Sequence, residues 1–386
     1  MNLEAEPPEK MKTKNSSPPP SAPSFSSLPE EITVNFLARI SRPYYPLISV
    51  VSKTFHSILS STELYAARSH LGSTEQCLYV CLWDKNNQFP QWFTLWINPN
   101  RTMKKKTTGL LVPIASSNFP SVSNSTIVVG SDIYVIGGPI DNEPSSAVRI
   151  LDCRSHTWRE APSMNVARWN PLARVYDGKI YVMAGCRGEE DESWAEVFDT
   201  KTQTWEQICI PNTELRNSFI YRIREIKGKI HFEYYFQHSI KMYAYDPKQG
   251  KWEFCNGVVV PGAECVMDGV WYKRNDLIRR GYCDLQWSTG GSWRDVKGLE
   301  SLEDKYRMND GSVCAISKLV SCGGKLYLIW DPYKKQNPDD TKKIWCAEIV
   351  VEKRVGGEVW GNVQWVDAVL SVPQNCQLLN CIAVSV

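Results

Sequence analysis

The side chains that most often carry out chemistry are sparse in this sequence. Only five histidines occur in 386 residues, and the closest pair, His231 and His238, flanks the aromatic run HFEYYFQH. Residues seven apart on a strand face opposite sides, so this pair is a poor candidate for a metal site. The sequence contains no nucleophile elbow, phosphate-binding loop or zinc-protease motif. We therefore predict no catalytic residue, no metal and no cofactor.

Composition narrows the class of protein further. The 13 cysteines lack the paired spacing of a structural zinc site. The 44 basic and 42 acidic side chains give a net charge of +2, which offers no global attraction to nucleic acid or to an anionic membrane. The acidic, proline-containing start does not resemble a secretory signal, and no run reaches the roughly 18–20 apolar residues of a membrane span. We expect a reducing setting, cytoplasmic and/or nuclear.

The N-terminal quarter of the chain has two parts. Residues 1–24 are rich in Pro, Ser, Lys and Glu, which predicts a disordered tail. Residues 25–72 carry apolar stripes at helical spacing, first in Ile32, Phe36 and Leu37. The pattern Ser27-Leu28-Pro29-Glu30 predicts a capping box at the first helix. Further helix boundaries are predicted at Pro43, Pro46, Ser52 and Gly72.

These predicted helices cannot form a large core. Fewer than about 50 residues rarely bury enough apolar surface to fold alone. We therefore expect the apolar stripes between Leu28 and Leu64 to be left partly uncovered and to be buried by a second protein.

From residue 76 onward, short apolar runs alternate with Gly, Asn, Asp and Pro, which predicts an all-β domain over residues 76–386. A repeat is visible within it. An Asp precedes a Trp by six residues in the pairs Asp152/Trp158, Asp199/Trp205 and Asp246/Trp252, and the pairs are 47 residues apart. A period near 50 residues is the size of one kelch blade, a four-stranded antiparallel sheet. In such a blade the Trp can seal the gap to the neighbouring blade.

The repeat predicts a ring of about six blades, with five or seven as alternatives. Its regularity weakens after residue 255, where the assignment depends on strand pattern. The apolar C-terminal run 376–386 and the predicted strands at 78–82 and 92–97 would form one shared blade. Building one blade from both ends of the chain closes the ring and removes its open edges.

At this point the sequence resembles a known family. Leu28-Pro29, Ser52-Lys53-x-Phe55 and Ser60-Ser61-x-Glu63-Leu64 resemble an F-box, while Gly137-Gly138 and the Asp/Trp pairs resemble kelch motifs. The combination is similar to plant F-box/kelch-repeat proteins. The resemblance implies a non-enzymatic substrate receptor of an SCF-type cullin-RING ubiquitin ligase. The F-box would bind the adaptor subunit, and through it cullin, while the propeller would bind an unknown protein substrate.

Two sets of site residues follow. For adaptor binding we predict Leu28, Pro29, Ile32, Leu47, Ile48, Val51 and Leu59, whereas Leu37, Val50 and Phe55 are expected to hold the helices together. Propeller recognition surfaces collect aromatic and arginine anchors. Not all aromatic residues of the predicted propeller, Tyr235 and Trp287 included, lie at the Trp position that would seal neighbouring blades. For substrate binding we predict Trp169, Arg187, Trp194, Arg222, Tyr234 and Trp271.

The sequence leaves alternative functions open. The chain could be a kelch scaffold outside any ligase, or a propeller that senses a small ligand in its channel. Two classes of propeller enzyme are also considered. The run Ser288–Trp293 nearly matches a sialidase box but lacks its Asp, and a copper oxidase would need more suitably placed histidines.

Overall fold

A computed structural model describes most of the chain from Leu28 to its C-terminus. The described residues are 28–87, 89–97, 109–114, 126–140, 143–186, 194–211, 215, 219–237, 239–255, 264–274, 285–302, 316–331 and 341–386. The predicted tail 1–24, the capping-box residue Ser27, His238 and Arg187 lie outside these ranges.

The first described segment is helical. It contains α1 (Glu30–Leu37), a short 3-10 helix (Arg42–Tyr44), α2 (Tyr45–Ser49), α3 (Lys53–Leu59) and α4 (Thr62–His70). None of the helices in the described ranges is long and apolar enough to cross a membrane.

The helix boundaries follow local chemistry. The hydroxyl of Ser52 accepts a hydrogen bond from the amide of Phe55 at 3.1 Å, so the predicted N-cap of α3 is confirmed. Gly72, at φ +63°, ends α4, and the amide of Ser73 donates to the carbonyl of Arg68 at 2.8 Å. The start of α1 differs from the prediction, because Pro29 occupies the N-cap position and provides no side-chain cap.

The rest of the described chain forms six four-stranded antiparallel sheets, so the prediction of six blades is confirmed. In five of them the strands pair in chain order from the inner to the outer edge. The strands of blade 1 are Thr126–Val129, Asp132–Ile136, Val148–Asp152 and Thr157–Ala161. Those of blade 2 are Leu172–Tyr176, Lys179–Met183, Ala195–Asp199 and Thr204–Ile208. Those of blade 3 are Phe219–Ile226, Lys229–Phe236, Ser239–Asp246 and Lys251–Phe254.

The later blades are less regular. Blade 4 contains Cys265–Met267, Val270–Arg274, Leu285–Ser288 and Arg294–Asp295. Blade 5 contains Ile316–Cys322, Lys325–Asp331, Thr341–Arg354 and Glu358–Pro373. A separate two-stranded hairpin, Pro139–Ile140 with Glu143–Pro144, lies between the second and third strands of blade 1.

The ring closes as the sequence predicts. The C-terminal strand Cys376–Ser385 pairs with Gln76–Asp84, which is followed outward by Gln91–Ile97 and Gly109–Pro113. We call this sheet the closing blade. Because the two ends of the domain share the closing blade, the ring can open only if a complete strand pairing is broken.

The Asp and Trp of each repeat have distinct structural roles. The Asp carboxylate accepts a backbone N–H two residues later, which shapes the turn between the third and outer strands; the distances are 2.8 Å for Asp152, 2.9 Å for Asp199 and 2.9 Å for Asp246. The Trp indole donates to a carbonyl that precedes its blade: Trp205 to Pro162 and Trp252 to Cys209, each at 2.8 Å. These acceptors are also 47 residues apart, so the predicted seal between blades is confirmed at both positions.

Candidate docking and recognition surfaces

The helical segment packs directly against the propeller. Leu37, Ile58 and Leu64 share one buried cluster with Tyr79 of the closing blade and Leu151 of blade 1. The stripes are therefore only partly uncovered, and this face needs no second protein. The chain's own propeller buries it, because the blade edges at this end present apolar side chains of their own.

Polar contacts fix the same junction. The hydroxyl of Tyr65 donates to the carbonyl of Arg154 at 2.9 Å, and the guanidinium of Arg42 donates to the carbonyl of Cys153 at 3.2 Å. Both acceptors lie in the turn after the third strand of blade 1. The indole of Trp96, in the closing blade, donates to the carbonyl of Pro43 at 3.0 Å. These bonds orient the helices relative to the ring.

Arg68 lies at the centre of the helical segment. Its side chain is 1% exposed, and its guanidinium donates to the carbonyls of Ile40 and Ser73 at 2.8 and 2.6 Å and to the hydroxyl of Tyr45 at 2.8 Å. A carboxylate oxygen of Glu75 lies 3.5 Å away. Burial raises the pKa of Tyr45, although the neighbouring Arg68 opposes that shift. Arg68 therefore ties the loop after α1, the end of α4 and the entry to the propeller together.

A second face of the helices remains open to solvent. Six of the thirteen exposed large apolar side chains among the described residues fall in this short segment: Leu28, Ile32, Phe36, Leu47, Val50 and Val51. We call these six the exposed apolar set. Val50, Leu47 and Val51 are 82%, 69% and 67% exposed. Isolated exposed apolar residues are ordinary, but a concentration in and beside two short helices is typical of a protein-binding surface.

The residues predicted to bind an adaptor divide between these faces. Leu28, Pro29, Ile32, Leu47 and Val51 are exposed, and Ile48 is half-buried. Leu59 is buried in the cluster shared with the propeller, so the adaptor-binding role predicted for it does not fit its position. Conversely, Val50, which we expect in the helical interior, is open to solvent, whereas Leu37 is buried as expected.

The second candidate surface lies at the opposite end of the blades. The helices contact the turn between the third and outer strands of blade 1. In an antiparallel blade this turn lies at the same end as the turn between the first two strands. The turns between second and third strands lie at the other end. In blade 3 these strands are 8 residues long, against 5 in blade 2, so the strand pairing of blade 3 continues further.

This end of blade 3, which we call the blade 3 tip, consists of Tyr235, Phe236, Ile240 and Lys241 and exposes apolar groups. Tyr235 and Ile240 are cross-strand partners, and each is 49% exposed. The ammonium group of Lys241 lies 4.8 Å from the ring centre of Phe236. Aromatic side chains beside a cation are common anchors in protein recognition.

The predicted substrate-binding residues are not brought together on this tip. Tyr234 is buried and stacks on Tyr243 with 6.0 Å between ring centres, and Trp194 is buried in blade 2. A recognition role does not fit either side chain, because both fill gaps within the propeller. Arg222 is 40% exposed and pairs with the carboxylate of Glu233 at 3.2 Å.

The remaining two predicted residues lie in different places. Trp169 follows blade 1 in the connection to blade 2 and is half-buried. Its backbone amide donates to the carbonyl of Gly185 at 2.7 Å. Trp271 lines the central channel, a cavity of about 580 Å³ bordered by the inner strands of all the blades. Within the described residues no group of three or more His, Cys, Asp or Glu side chains could hold a metal ion.

A helical module with one buried and one open apolar face, fixed to a closed six-bladed kelch propeller, defines a class of modular binding proteins. Family comparison agrees with this geometry: residues 25–66 match the F-box domain, and residues 92–370 match the FKB95 Kelch-repeats domain. The chain belongs to the plant F-box/kelch-repeat family.

Curated relatives extend over the whole chain. F-box/kelch-repeat protein At4g19870 of Arabidopsis thaliana is 58% identical, with complete coverage of both chains. F-box/kelch-repeat protein At4g19865 of the same plant is 56% identical, also with complete coverage of both chains. F-box/kelch-repeat protein At5g39560 is 39% identical over 100% of this chain and 98% of its own. F-box/kelch proteins are in general substrate adaptors rather than catalysts, which agrees with the resemblance found in the sequence.

Proposed function

We propose that this protein is a substrate receptor of an SCF-type cullin-RING ubiquitin ligase. Its F-box docks the ligase adaptor and, through it, cullin, while its propeller binds a protein that is ubiquitinated and degraded. F-box domains bind SCF adaptors and kelch propellers bind substrates, so both halves of the proposal have precedent in the family. The chain itself supplies binding and positioning, with ubiquitin transfer performed by other subunits, in the cytoplasm and/or the nucleus.

The observation that carries this proposal is the exposed apolar set. The free chain leaves Leu47, Val50 and Val51 in water although other apolar side chains of the same helical segment are buried. Transferring such side chains into an interface is favourable by about 25 cal/mol per Å² of apolar surface. A helical partner with an apolar groove would cover them, as in other helix-in-groove complexes.

The arrangement of the two surfaces supports a positioning role. The helices lie against one end of the blades, and the blade 3 tip lies at the other. The hydrogen bonds of Tyr65, Arg42 and Trp96 across the junction limit rotation of one module against the other. A target held at the tip would therefore keep a defined distance from the ligase core, which is what transfer to a substrate lysine requires.

The adaptor half of the proposal is tested by binding. Replacing Leu47→Glu and Val51→Glu together introduces charges where the adaptor would bury apolar surface, so we expect affinity to fall by about 100-fold or more. Leu110→Glu is the matched control, because Leu110 is also exposed but lies on the outer strand of the closing blade. Calorimetric titration of purified SCF adaptor into each full-length variant makes the comparison. Equal affinities for all the variants would exclude this docking surface.

The substrate half needs a cellular measurement. Proximity labelling in plant cells would compare the wild-type chain with the Leu47→Glu/Val51→Glu variant. Targets should be labelled by both proteins, but they should accumulate only with the variant that cannot recruit the ligase. If the labelled proteins are equally abundant with both chains, the propeller binds partners without directing their degradation, and the receptor proposal fails.

A further inference from the structure

A cavity of about 620 Å³ lies between the helical segment and the propeller. We call it the junction cavity. Its size falls within the range of about 300–1,000 Å³ that is typical of small-molecule sites, which often form between two structural modules. It is separate from both surfaces described above, because no residue of the exposed apolar set or of the blade 3 tip lines it.

The walls of the junction cavity are largely apolar and come from both modules. The helical side provides Pro43, Pro46 and Leu59, and the closing blade provides Leu95, Trp96 and Val112. Sites lined in this way bind the apolar body of an organic molecule, and a small number of polar groups fix its orientation.

One of those polar groups is the imidazole of His156. The hydroxyl of Tyr79 donates its single proton to the carbonyl of Cys153 at 2.8 Å. Its oxygen, 3.0 Å from Nε2 of His156, must therefore accept from that nitrogen. Burial, together with the nearby charge of Arg42, lowers the pKa of His156 to about 4, so the ring is neutral at pH 7. Nδ1 is then an acceptor, with no partner among the described residues and accessible from the cavity.

A second open acceptor belongs to Glu75. One carboxylate oxygen, Oε2, accepts from the backbone amide of Arg42 at 2.9 Å and lies near the guanidinium of Arg68. The other oxygen, Oε1, has no hydrogen-bond partner within the described part of the chain. Both unfilled positions are acceptors, so they favour a molecule that donates a hydrogen bond.

Charge restricts the class further. At Nδ1 of His156 a carboxylate would meet an acceptor rather than a donor, while a cation would lie close to Arg42 and Arg154, which line the same cavity. We propose that the junction cavity binds an uncharged, largely apolar molecule that donates a hydroxyl or N–H hydrogen bond to Nδ1 of His156. Because the walls come from both modules, the bound molecule links the helices to the ring. The proposal does not depend on adaptor binding.

Three four-ring probes of the same shape test the chemistry on the full-length protein: 1-hydroxypyrene, pyrene and 1-pyrenecarboxylate. Fluorescence titration should show saturable binding of 1-hydroxypyrene with a Kd of about 10 µM or tighter. Its affinity should exceed that of each of the other two probes by about fivefold or more, the ratio that one neutral hydrogen bond provides. His156→Phe should reduce the affinity for 1-hydroxypyrene to that for pyrene.

A pair of variants locates the binding. Val112→Trp places a large side chain at the wall of the cavity, whereas Leu110→Trp makes the same change two residues away on the same strand and outside the cavity. Both positions are exposed, so both variants should fold, which circular dichroism verifies. We expect Val112→Trp to weaken binding of 1-hydroxypyrene at least tenfold and Leu110→Trp to leave it unchanged. Absence of saturable binding, equal affinity for the three probes, or full binding by Val112→Trp would overturn the proposal.

Discussion

Arg68 shows how a single buried side chain organises the helical segment. Its guanidinium reaches carbonyls at the end of α1 and beyond α4, and it lies beside the carboxylate of Glu75 at the entry to the propeller. A buried cation is costly unless its donors are satisfied, and removing it leaves those acceptors without their partner.

We therefore expect Arg68→Met to destabilise the protein by about 3–5 kcal/mol, the usual cost of breaking a buried charged network. The midpoint of urea denaturation measures this loss. Arg39→Met is the matched control, because Arg39 is exposed in the same segment and its replacement should change stability by less than about 0.5 kcal/mol. A similar small effect of both changes would show that the network contributes little.

His156 makes stability depend on pH at the acidic end. Burial and the charge of Arg42 lower its pKa from 6.5 to about 4, whereas the carboxylate of Asp152 opposes this shift. The neutral hydroxyl of Tyr79 lies 3.0 Å from Nε2 of His156. The unfolded chain binds the proton more readily than the folded protein. The contribution to stability is thus complete above about pH 6.5 and declines as the pH falls towards 4, with a slope of at most about 1.4 kcal/mol per pH unit.

The matched variant isolates that contribution. His156→Gln keeps a donor for Tyr79 but cannot titrate, so its free energy of unfolding should fall less steeply between pH 6.5 and 4 than that of the wild type. Urea denaturation at closely spaced pH values measures both slopes. Identical slopes would show that His156 does not contribute in this window.

Neighbouring residues also show why the burial of some predicted site residues could not be read from the sequence. Tyr234 and Tyr235 are adjacent in one strand, and alternation turns the first into the propeller and the second towards solvent. Only the pairing register decides which of them faces outward. Val50 and Leu59 raise the same difficulty, because a helical stripe can be identified from spacing but the partner that covers it cannot.

At the scale of elements, the seals between blades repeat with the same chemistry. Trp205 packs at a tilt against Phe198 and Trp252 against Tyr245, with ring centres 4.9 and 5.0 Å apart, and each indole donates a hydrogen bond to the carbonyl of a preceding connection. The 47-residue spacing identified these positions because a repeated blade must meet its neighbour in a repeated way.

Trp205→Phe and Trp252→Phe should therefore cost similar amounts. Each change retains most of the aromatic packing but removes one hydrogen bond, for an expected loss of about 1–2 kcal/mol. Thermal and urea denaturation of the two variants provide the measurement, and values that differ by much more than about 0.5 kcal/mol would contradict the equivalence of the seals.

Gly185 is required where blade 2 meets the connection before it. Its φ is +75°, and a Cβ would lie 2.9 Å from the backbone nitrogen of Pro171. Gly250 has a similar φ of +64° but open space around it. Gly185→Ala should thus lower stability by more than about 2 kcal/mol, whereas Gly250→Ala should cost only about 1 kcal/mol for its backbone conformation. Equal losses in denaturation would show that the close approach is relieved by a small backbone shift.

At the scale of the whole molecule, the helices and the ring form one continuous unit. The sequence predicted the number of blades, the shared closing blade and the helical segment, because these depend on local periodicity and on the need to remove open edges. It did not predict that the propeller covers one apolar face of the helices, or that a cavity lies at the junction. Both depend on how two modules meet, and residue spacing carries no signal for that contact.

The central claim is that one face of the helices belongs to the propeller and the other to the ligase adaptor. Hydrogen–deuterium exchange of the full-length protein, with and without saturating SCF adaptor, tests it directly. Amides of α1 and α2 around Ile32 and Leu47 should become protected, while those of blade 3 near Tyr235 and Ile240 should remain unchanged. Unaltered exchange in α1 and α2, or protection confined to the propeller, would contradict the account.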